Sequence, residues 1–196
     1  MNYKFLFFVP ALAVALLSLY SCMENNKVHL SAQNNTISND SLKRYGGYLV
    51  TITGCNDCHT PKKIGINGSE LDSALLLSGY PSSRPVVPFP KADVAKGLIV
   101  VNYDVTRTFG PWGTTFAANI SSDQTGIGSW TLERFSKAMR HGKFKGMDAA
   151  RPIMPPMPWQ NLKFLKDKDL EAIFIYLKST KPIVNVVPAF IPANGS

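Results

Sequence analysis

Three segments of the chain repeat apolar residues at the spacing of a helix face. They predict helices over residues 41–53, 131–141 and 168–180. The three apolar faces consist of Leu42, Tyr45, Leu49 and Ile52; of Leu132, Phe135, Ala138 and Met139; and of Leu170, Ile173, Phe174 and Leu177. The clearest regular structure that this pattern predicts is therefore helical.

Capping residues support the second and third of these helices. Thr131 begins the second helix and Asp167 stands directly before the third, and both residue types accept hydrogen bonds from the free N–H groups of a helix start. Gly142 follows the second helix and Pro182 follows the third, where each ends the helical pattern. The local signals therefore agree with the apolar periodicity.

The first predicted helix contains two adjacent glycines, Gly46 and Gly47. Each would cost an isolated helix about 1 kcal/mol relative to alanine. Two in succession indicate that another helix backbone crosses closely at this point. The aromatic-bearing C-terminal helix is the expected partner.

The N-terminus has the pattern of an export signal. An uncharged apolar run over 5–19 is interrupted by Pro10 and is short for a membrane-spanning helix. Residues 19–22, Leu-Tyr-Ser-Cys, resemble the cleavage site of bacterial lipoproteins, which predicts a lipid on Cys22. We expect a signal peptide over 1–21, a polar tether over 22–39 and a domain over 40–196.

This interpretation places the domain on the periplasmic side of a bacterial membrane, held there by lipid. The alternative is an uncleaved anchor helix, which leaves the domain on the same side of the membrane. The formal net charge is +8, which favours an acidic protein partner or an anionic membrane surface. The basic residues are scattered and no nucleic-acid-binding motif accompanies them, so no nucleic-acid partner is expected.

Two of the three cysteines form a compact motif with a histidine, Cys55-x-x-Cys58-His59. A thiol-redox pair would require a βαβ pattern around it, which the sequence lacks. Structural zinc would require a fourth ligand, and neither His29 nor His141 has a suitable spacing. Covalent haem requires two thiols for thioether bonds and an adjoining histidine for the iron. The motif therefore favours one covalent haem c.

The sixth ligand of such an iron has three candidates. Met154 and Met157 lie in a proline-rich segment before the last helix, where proline rings keep the chain extended. Methionine usually fills space in the core, but this segment is not helical and its methionines cannot belong to the apolar face of a helix, which favours the ligand role. His141 is the rival candidate, although a histidine at the end of a helix commonly interacts with the last backbone carbonyls of that helix.

The order helix, C-x-x-C-H, loop, Met and helix over residues 41–181 resembles a class I cytochrome c. Residues 110–143, 151–159 and 165–177 are similar to bacterial cytochromes related to the cytochrome c subunits of membrane-bound alcohol and gluconate dehydrogenases. In that group a Met-Pro-aromatic triplet precedes the last helix and its methionine ligates iron. The resemblance therefore implies Met157 as the ligand, in the triplet Met157-Pro158-Trp159.

The resemblance implies an all-α protein with a class I cytochrome c fold. A long loop would be inserted over 61–128, between the haem-attachment motif and the Met-bearing loop. The segment KGLIVVNYD, residues 96–104, predicts one short strand there, and aromatic residues including Trp112 are expected to cover the haem or the core. Asn119 is a candidate donor to a haem propionate, or a turn residue that bonds its own backbone.

The resemblance also implies an electron carrier rather than an enzyme. With His59 and Met157 both on the iron, no position remains for a substrate, and this ligand pair raises the reduction potential. The expected partners are redox proteins: a dehydrogenase or quinol-oxidising complex as donor and a terminal oxidase as acceptor. The relatives carry several haem motifs, whereas this chain has one. The alternative is a haem enzyme or gas sensor with an open or switchable sixth position.

Overall fold

Two long helices cross at the centre of the computed structural model, which describes residues 38–66, 68–89 and 91–193. Helix α1 spans Asn39–Ile52 and helix α6 spans Asp167–Lys178. A methyl group added at Gly46 would lie 1.9 Å from the Ala172 carbonyl oxygen, so the two backbones touch there. The predicted close crossing is confirmed. Cys22, the signal segment and the tether through residue 37 lie outside the described residues, whereas Ser38 and Asn39, expected in the tether, are the N-cap and first residue of α1.

The core lies along this crossing. Its fully or nearly buried members are Leu49, Val50, Leu77, Ile127, Phe135, Leu170, Ala172, Ile173 and Leu177. The predicted face of α6 is confirmed, but that of α1 is partly wrong because Tyr45 and Ile52 are 43% and 58% exposed. Tyr45 instead donates a hydrogen bond through its hydroxyl to Asp169 Oδ1, at 2.9 Å.

Helix α4, Leu132–His141, packs beside this pair through Phe135 and Ala138. Thr131 caps it as predicted, because its Oγ1 accepts a hydrogen bond from the Arg134 N–H. Helix α6 begins one residue earlier than expected, with Lys166 as its N-cap and the Asp169 carboxylate accepting from the Lys166 N–H. The shorter helices are α2 (Cys55–His59), α3 (Lys91–Ala95) and α5 (Trp159–Leu162).

The prediction of an all-α fold is wrong. Helix accounts for 36% of the structure and strand for 14%, and the strands form two antiparallel sheets. The strands are β1 Lys62–Gly65, β2 Gly68–Leu71, β3 Val100–Val101, β4 Arg107–Gly110, β5 Gly113–Phe116 and β6 Ile191–Pro192. Five of the six lie in the segment predicted to be a loop insertion, where only the short strand now labelled β3 was expected.

The larger sheet has the order β3-β4-β5-β6. Strands β4 and β5 form a tight hairpin in which Arg107 pairs with Phe116 and Gly110 with Gly113. Strand β6, near the end of the described chain, pairs with β5 through Ile191 and Thr114. This pairing ties the C-terminal segment to a hairpin that precedes it by about 75 residues along the chain.

Buried amides attach the C-terminal segment elsewhere as well. Asn185 is 6% exposed. Its Nδ2 donates to the carbonyl oxygens of Ser78 and Tyr80, and its Oδ1 accepts from the Ser82 N–H. Within the described part of the chain, no helix has the length and apolar character needed to cross a membrane.

Candidate haem site

The cysteines and the histidine of the motif lie on a single turn of helix, α2. Because residues three and four apart share a helix face, Cys55, Cys58 and His59 are directed to the same side. Gly54 introduces the turn with φ of 71°, a left-handed conformation that an L-residue adopts only with strain. The local backbone therefore presents two thiols and an imidazole together.

Both cysteines are free thiols that are partly exposed. Burial raises the pKa of Cys55, and a hydrogen bond with Thr53 Oγ1 at 3.4 Å partly offsets that shift. Burial likewise raises the pKa of Cys58, while the nearby Lys62 ammonium opposes the change. Within the described residues, no three His, Cys, Asp or Glu side chains cluster closely enough to hold a metal ion.

A backbone carbonyl fixes the orientation of His59. Its ring Nδ1 lies 2.7 Å from the Ala118 carbonyl oxygen, and since a carbonyl only accepts, Nδ1 carries the proton. Nε2 is then left with its lone pair, which is the form of imidazole that ligates a metal. Burial lowers the pKa of His59, and the hydrogen bond to Ala118 opposes that shift.

The backbone around His59 is also tied down. The Gly79 N–H donates to the His59 carbonyl at 2.7 Å. The adjoining Thr60 is fully buried, and its Oγ1 donates to Asn56 and accepts from the Leu77 N–H. The C-terminal end of the turn that carries the motif is therefore fixed by hydrogen bonds from segment 77–79.

The methionine-bearing loop is anchored at several points. The Ile153 N–H donates to the Gly142 carbonyl at 2.7 Å, and Lys143 forms a β-bridge with Pro152. At its other end the Trp159 ring packs directly on Gly142, where an added methyl group would lie 2.3 Å from it. Between these anchors, Met154 and Met157 are both half-buried.

Strand β5 and the residues after it contact both halves of the candidate site. Thr115 Oγ1 donates to the Pro155 carbonyl of the methionine loop at 2.9 Å. Three residues later, the Ala118 carbonyl accepts from His59. Three residues of extended chain span about 10 Å, so His59 and the methionine loop meet the same short segment. The sequence contained no signal for either contact.

Asn119 and His141 occupy different surroundings. Asn119 is buried, with Nδ2 donating to Thr125 Oγ1 and the Ile183 carbonyl and Oδ1 accepting from the Ser121 N–H. This is the geometry of the turn residue considered as an alternative, and the role of Asn119 toward haem stays a prediction. His141 is exposed at the end of α4.

Two buried polar atoms in this region, Arg107 Nε and Trp112 Nε1, have no hydrogen-bond partner among the described residues. The guanidinium of Arg107 lies 4.0 Å from the centre of the Phe89 ring, and this cation–π contact offsets part of the cost of burying its charge. Trp112 has no such partner for its N–H. The donor set of α2, the free Nε2 of His59 and this unpaired N–H fit a haem with its carboxylates.

Comparison with known proteins gives several relatives that are cytochrome subunits of dehydrogenases. The fructose dehydrogenase cytochrome subunit of Gluconobacter japonicus is 31% identical over 140 residues, or 70% of this chain and 21% of the relative. The gluconate 2-dehydrogenase cytochrome c subunit of Pantoea cypripedii is 26% identical over 71% of this chain and 23% of its own length. The quinone-dependent alcohol dehydrogenase cytochrome c subunit of Gluconobacter oxydans is 28% identical over 80% and 25%, respectively.

The chain is similar in sequence to c-type cytochromes. It is related to the cytochrome c subunits of fructose, gluconate and alcohol dehydrogenases, as the sequence motifs predicted, and the relationship implies haem c. No family profile matches the chain. The matches cover about a fifth to a quarter of the length of these relatives.

Proposed function

We propose that this chain is an electron-transfer protein with one covalent haem c, anchored to the periplasmic side of a bacterial membrane by lipid on Cys22. Cys55 and Cys58 would attach the haem, and His59 and Met157 would ligate its iron. The contact between His59 Nδ1 and the Ala118 carbonyl carries the proposal, because it leaves Nε2 free to bind iron. Bound haem c supplies a one-electron couple of ferric and ferrous iron.

The residues of α2 would hold and orient the group. The shared face of the helical turn directs both thiols to adjacent positions, as two thioether bonds to one ring require. The carbonyl of Ala118 keeps the imidazole in one tautomer and one orientation. Both effects reduce the conformational entropy that the side chains would otherwise lose when they bind the haem.

Met157 would be the second protein ligand of the haem iron. The loop that bears it is fixed to the hairpin by the Thr115–Pro155 hydrogen bond and to α4 through Trp159 and Gly142. A thioether in this position raises the reduction potential relative to a second histidine. With His59 and Met157 both bound to the iron, the chain would pass electrons and would not bind a substrate there.

The surface charge supports a protein partner with an acidic docking face. Residues 131–168, which include α4, the methionine loop and α5, contain nine Lys or Arg residues and three Asp or Glu residues. Such an excess raises the rate of encounter with an acidic surface and is weakened by salt. A dehydrogenase is the proposed donor and a terminal oxidase the proposed acceptor.

The methionine assignment has a matched pair of variants, Met157→Ala and Met154→Ala, in the haem-loaded protein. We expect Met157→Ala to abolish the long-wavelength absorption band that ferric iron shows with a methionine ligand, and to lower the reduction potential. Met154→Ala should leave both nearly unchanged, because it removes the same side chain from the same loop without removing the ligand. Visible spectra and potentiometric titration measure the two quantities.

The outcomes separate the proposal from its alternatives. If Met154→Ala abolishes the band instead, the ligand is Met154. If neither variant changes the spectrum, the iron has an open or differently ligated sixth position, as in a haem enzyme or gas sensor. If acid–acetone extracts the haem from the wild-type protein, the attachment through Cys55 and Cys58 is wrong.

A further inference from the structure

Helix α1 has an apolar face that remains exposed to solvent. Tyr45, Tyr48 and Ile52 are 43%, 57% and 58% exposed. Because they are three and four residues apart, they share one side of the helix, away from the side that buries Leu49 and Val50. These three residues form the tyrosine face. Large apolar side chains that lie next to one another on a surface, rather than singly, indicate a contact with another molecule.

The tyrosine face is already ordered in the folded protein. The Tyr45 hydroxyl donates to Asp169 Oδ1 at 2.9 Å, and its ring stacks on that of Tyr48 with 6.3 Å between the ring centres. The helix beneath them is fixed against α6 where the two backbones touch at Gly46. Side chains that are held in place before docking lose little conformational entropy on binding. The face is therefore suited to docking as a rigid surface.

A cationic side chain borders this face. Arg44 lies one turn before Tyr48 and is exposed, and its guanidinium donates to Ser41 Oγ at 3.2 Å. No carboxylate of the described residues forms an ion pair with it. Tyrosine rings and long cationic side chains are the residue types favoured at the level of lipid headgroups. The composition of the face and its border therefore fits an anionic lipid surface.

The position of the tether brings the tyrosine face close to such a surface. Helix α1 begins at Asn39, directly after its N-cap Ser38. The proposed lipid on Cys22 is about 16 residues before that cap, and a flexible chain of that length has a root-mean-square reach of about 20 Å. Tyr48 follows ten residues after the cap, about 15 Å along the helix. The first element after the tether therefore carries the face within reach of the bilayer.

We propose that the tyrosine face docks on the anionic bilayer to which the chain is anchored, with Arg44 at the lipid phosphates. The inference rests on the lipid anchor of the proposed function. The tether holds the domain at an effective concentration on the order of millimolar, so that even a weak contact is occupied. Because α2 with the C-x-x-C-H motif follows α1 after two residues, docking fixes the orientation of the candidate haem site relative to the membrane. Redox partners in the same membrane then meet the site in one orientation instead of many.

The test uses the full-length, lipidated and haem-loaded protein in a supported bilayer of phosphatidylcholine and phosphatidylglycerol. Polarised visible absorption reports how the haem plane is oriented relative to the bilayer. A docked domain gives dichroic absorption, whereas a domain that swings freely on its tether gives the isotropic ratio. We expect the wild type to be dichroic and the double variant Tyr48→Ser with Ile52→Ser to lose the dichroism while it stays anchored.

The matched control is the double variant Leu98→Ser with Ile99→Ser. These two residues are 53% and 56% exposed before strand β3, much as Tyr48 and Ile52 are on α1, and the control should keep the wild-type dichroism. If it loses the dichroism, or if neither double variant does, another surface docks and the inference is wrong. Isotropic absorption by anchored wild type also overturns it, while the proposed function stands. Wild type that washes off the bilayer refutes the anchor, and the inference with it.

A second measurement keeps the inference testable if the double variant on α1 does not fold, because it leaves the tyrosine face intact. Ser41 lies one turn before Tyr45 on the same side of α1, and Ser41→Cys introduces a thiol for a nitroxide label, since lipid and haem occupy the three native cysteines of the proposed protein. We expect a label at Ser41→Cys to be shielded from a water-soluble nickel complex, and a label at the exposed Val186→Cys to stay accessible. Equal accessibility of the two labels on the bilayer would overturn the inference.

Discussion

Adjacent glycines in helix α1 allow a direct test of the helix crossing. We predict that Gly46→Ala destabilises the protein, whereas Gly47→Ala does not. Both changes give a free helix the same gain of about 1 kcal/mol. The two variants differ only in what the new methyl group meets, so any difference in stability reports the crossing itself.

The obstacles at the two positions are different in kind. At Gly46 the methyl group would lie 1.9 Å from Ala172 O and 2.5 Å from Ala172 C, both backbone atoms of α6. The helices must then separate by more than about 1 Å, and overpacking of this kind costs about 1–3 kcal/mol, with lost dispersion contacts in addition. At Gly47 the obstacle is the ring of Tyr176 at 2.9 Å, whose far end can shift by a few tenths of an ångström.

Urea unfolding monitored by tryptophan fluorescence and by haem absorbance measures the difference. Since the helix-propensity term cancels between the variants, we expect Gly46→Ala to be less stable than Gly47→Ala by about 2 kcal/mol. For a domain of this size that corresponds to roughly 4–8 °C in Tm. Equal stability of the two variants would show that α1 and α6 do not cross at the backbone distance described.

Two further predictions concern pH and the membrane. Burial raises the pKa of Asp104, but hydrogen bonds from Arg84 and Thr106 outweigh it and the net pKa is lowered. The stabilisation is therefore present above about pH 4 and lost as the pH falls through the folded-state value; urea unfolding should show Asp104→Asn less stable by about 1–3 kcal/mol at neutral pH, a difference that shrinks in acid, whereas Asp93→Asn, in an exposed pair with Lys96, should change stability by less than about 0.5 kcal/mol. A constant difference at all pH values would contradict this. Wild-type protein should fractionate with membranes and Cys22→Ser should be released or left unprocessed; processed wild-type protein in the soluble fraction, beginning beyond residue 22, would refute the anchor.

The helices could be predicted because their signals are local. Thr131 and Gly142 delimit α4 as expected, and Pro182 stands four residues after the end of α6. The predicted apolar face of α1 is partly wrong because apolar periodicity depends on large side chains. The actual contact uses the absence of one, at Gly46, together with the small Ala172 of α6.

The sheets could not be predicted because their residues are atypical and because one pairing, that of β5 with β6, joins distant parts of the chain. Strands β4 and β5 contain buried Thr108, Thr114 and Arg107, so the expected alternation of apolar and polar residues is absent. Strand β6 has two residues, one of them Pro192, and forms only against β5. No window of the sequence contains both partners.

The candidate site divides in the same way. The thiols and the imidazole were found because their chemistry requires those residue types at that spacing. The hydrogen-bond partner of His59 is the backbone carbonyl of Ala118. Almost any residue type has such a carbonyl, so the amino-acid sequence does not mark the position that supplies it. The unpaired indole N–H of Trp112 likewise became visible only when its neighbours were known.

The supposed loop insertion is better understood as the support of the site. His59 and Met157 are 98 residues apart in the sequence, and a flexible connection would leave their separation undetermined. The hairpin fixes it, because Ala118 holds the imidazole and Thr115 holds the methionine loop from one short segment. The C-terminal strand β6 then pairs with the same segment at Thr114. Residues proposed to ligate one iron must stay within about 0.5 Å of a working geometry and are held best by such rigid elements, which gives the sheet at this position a role in the proposed site.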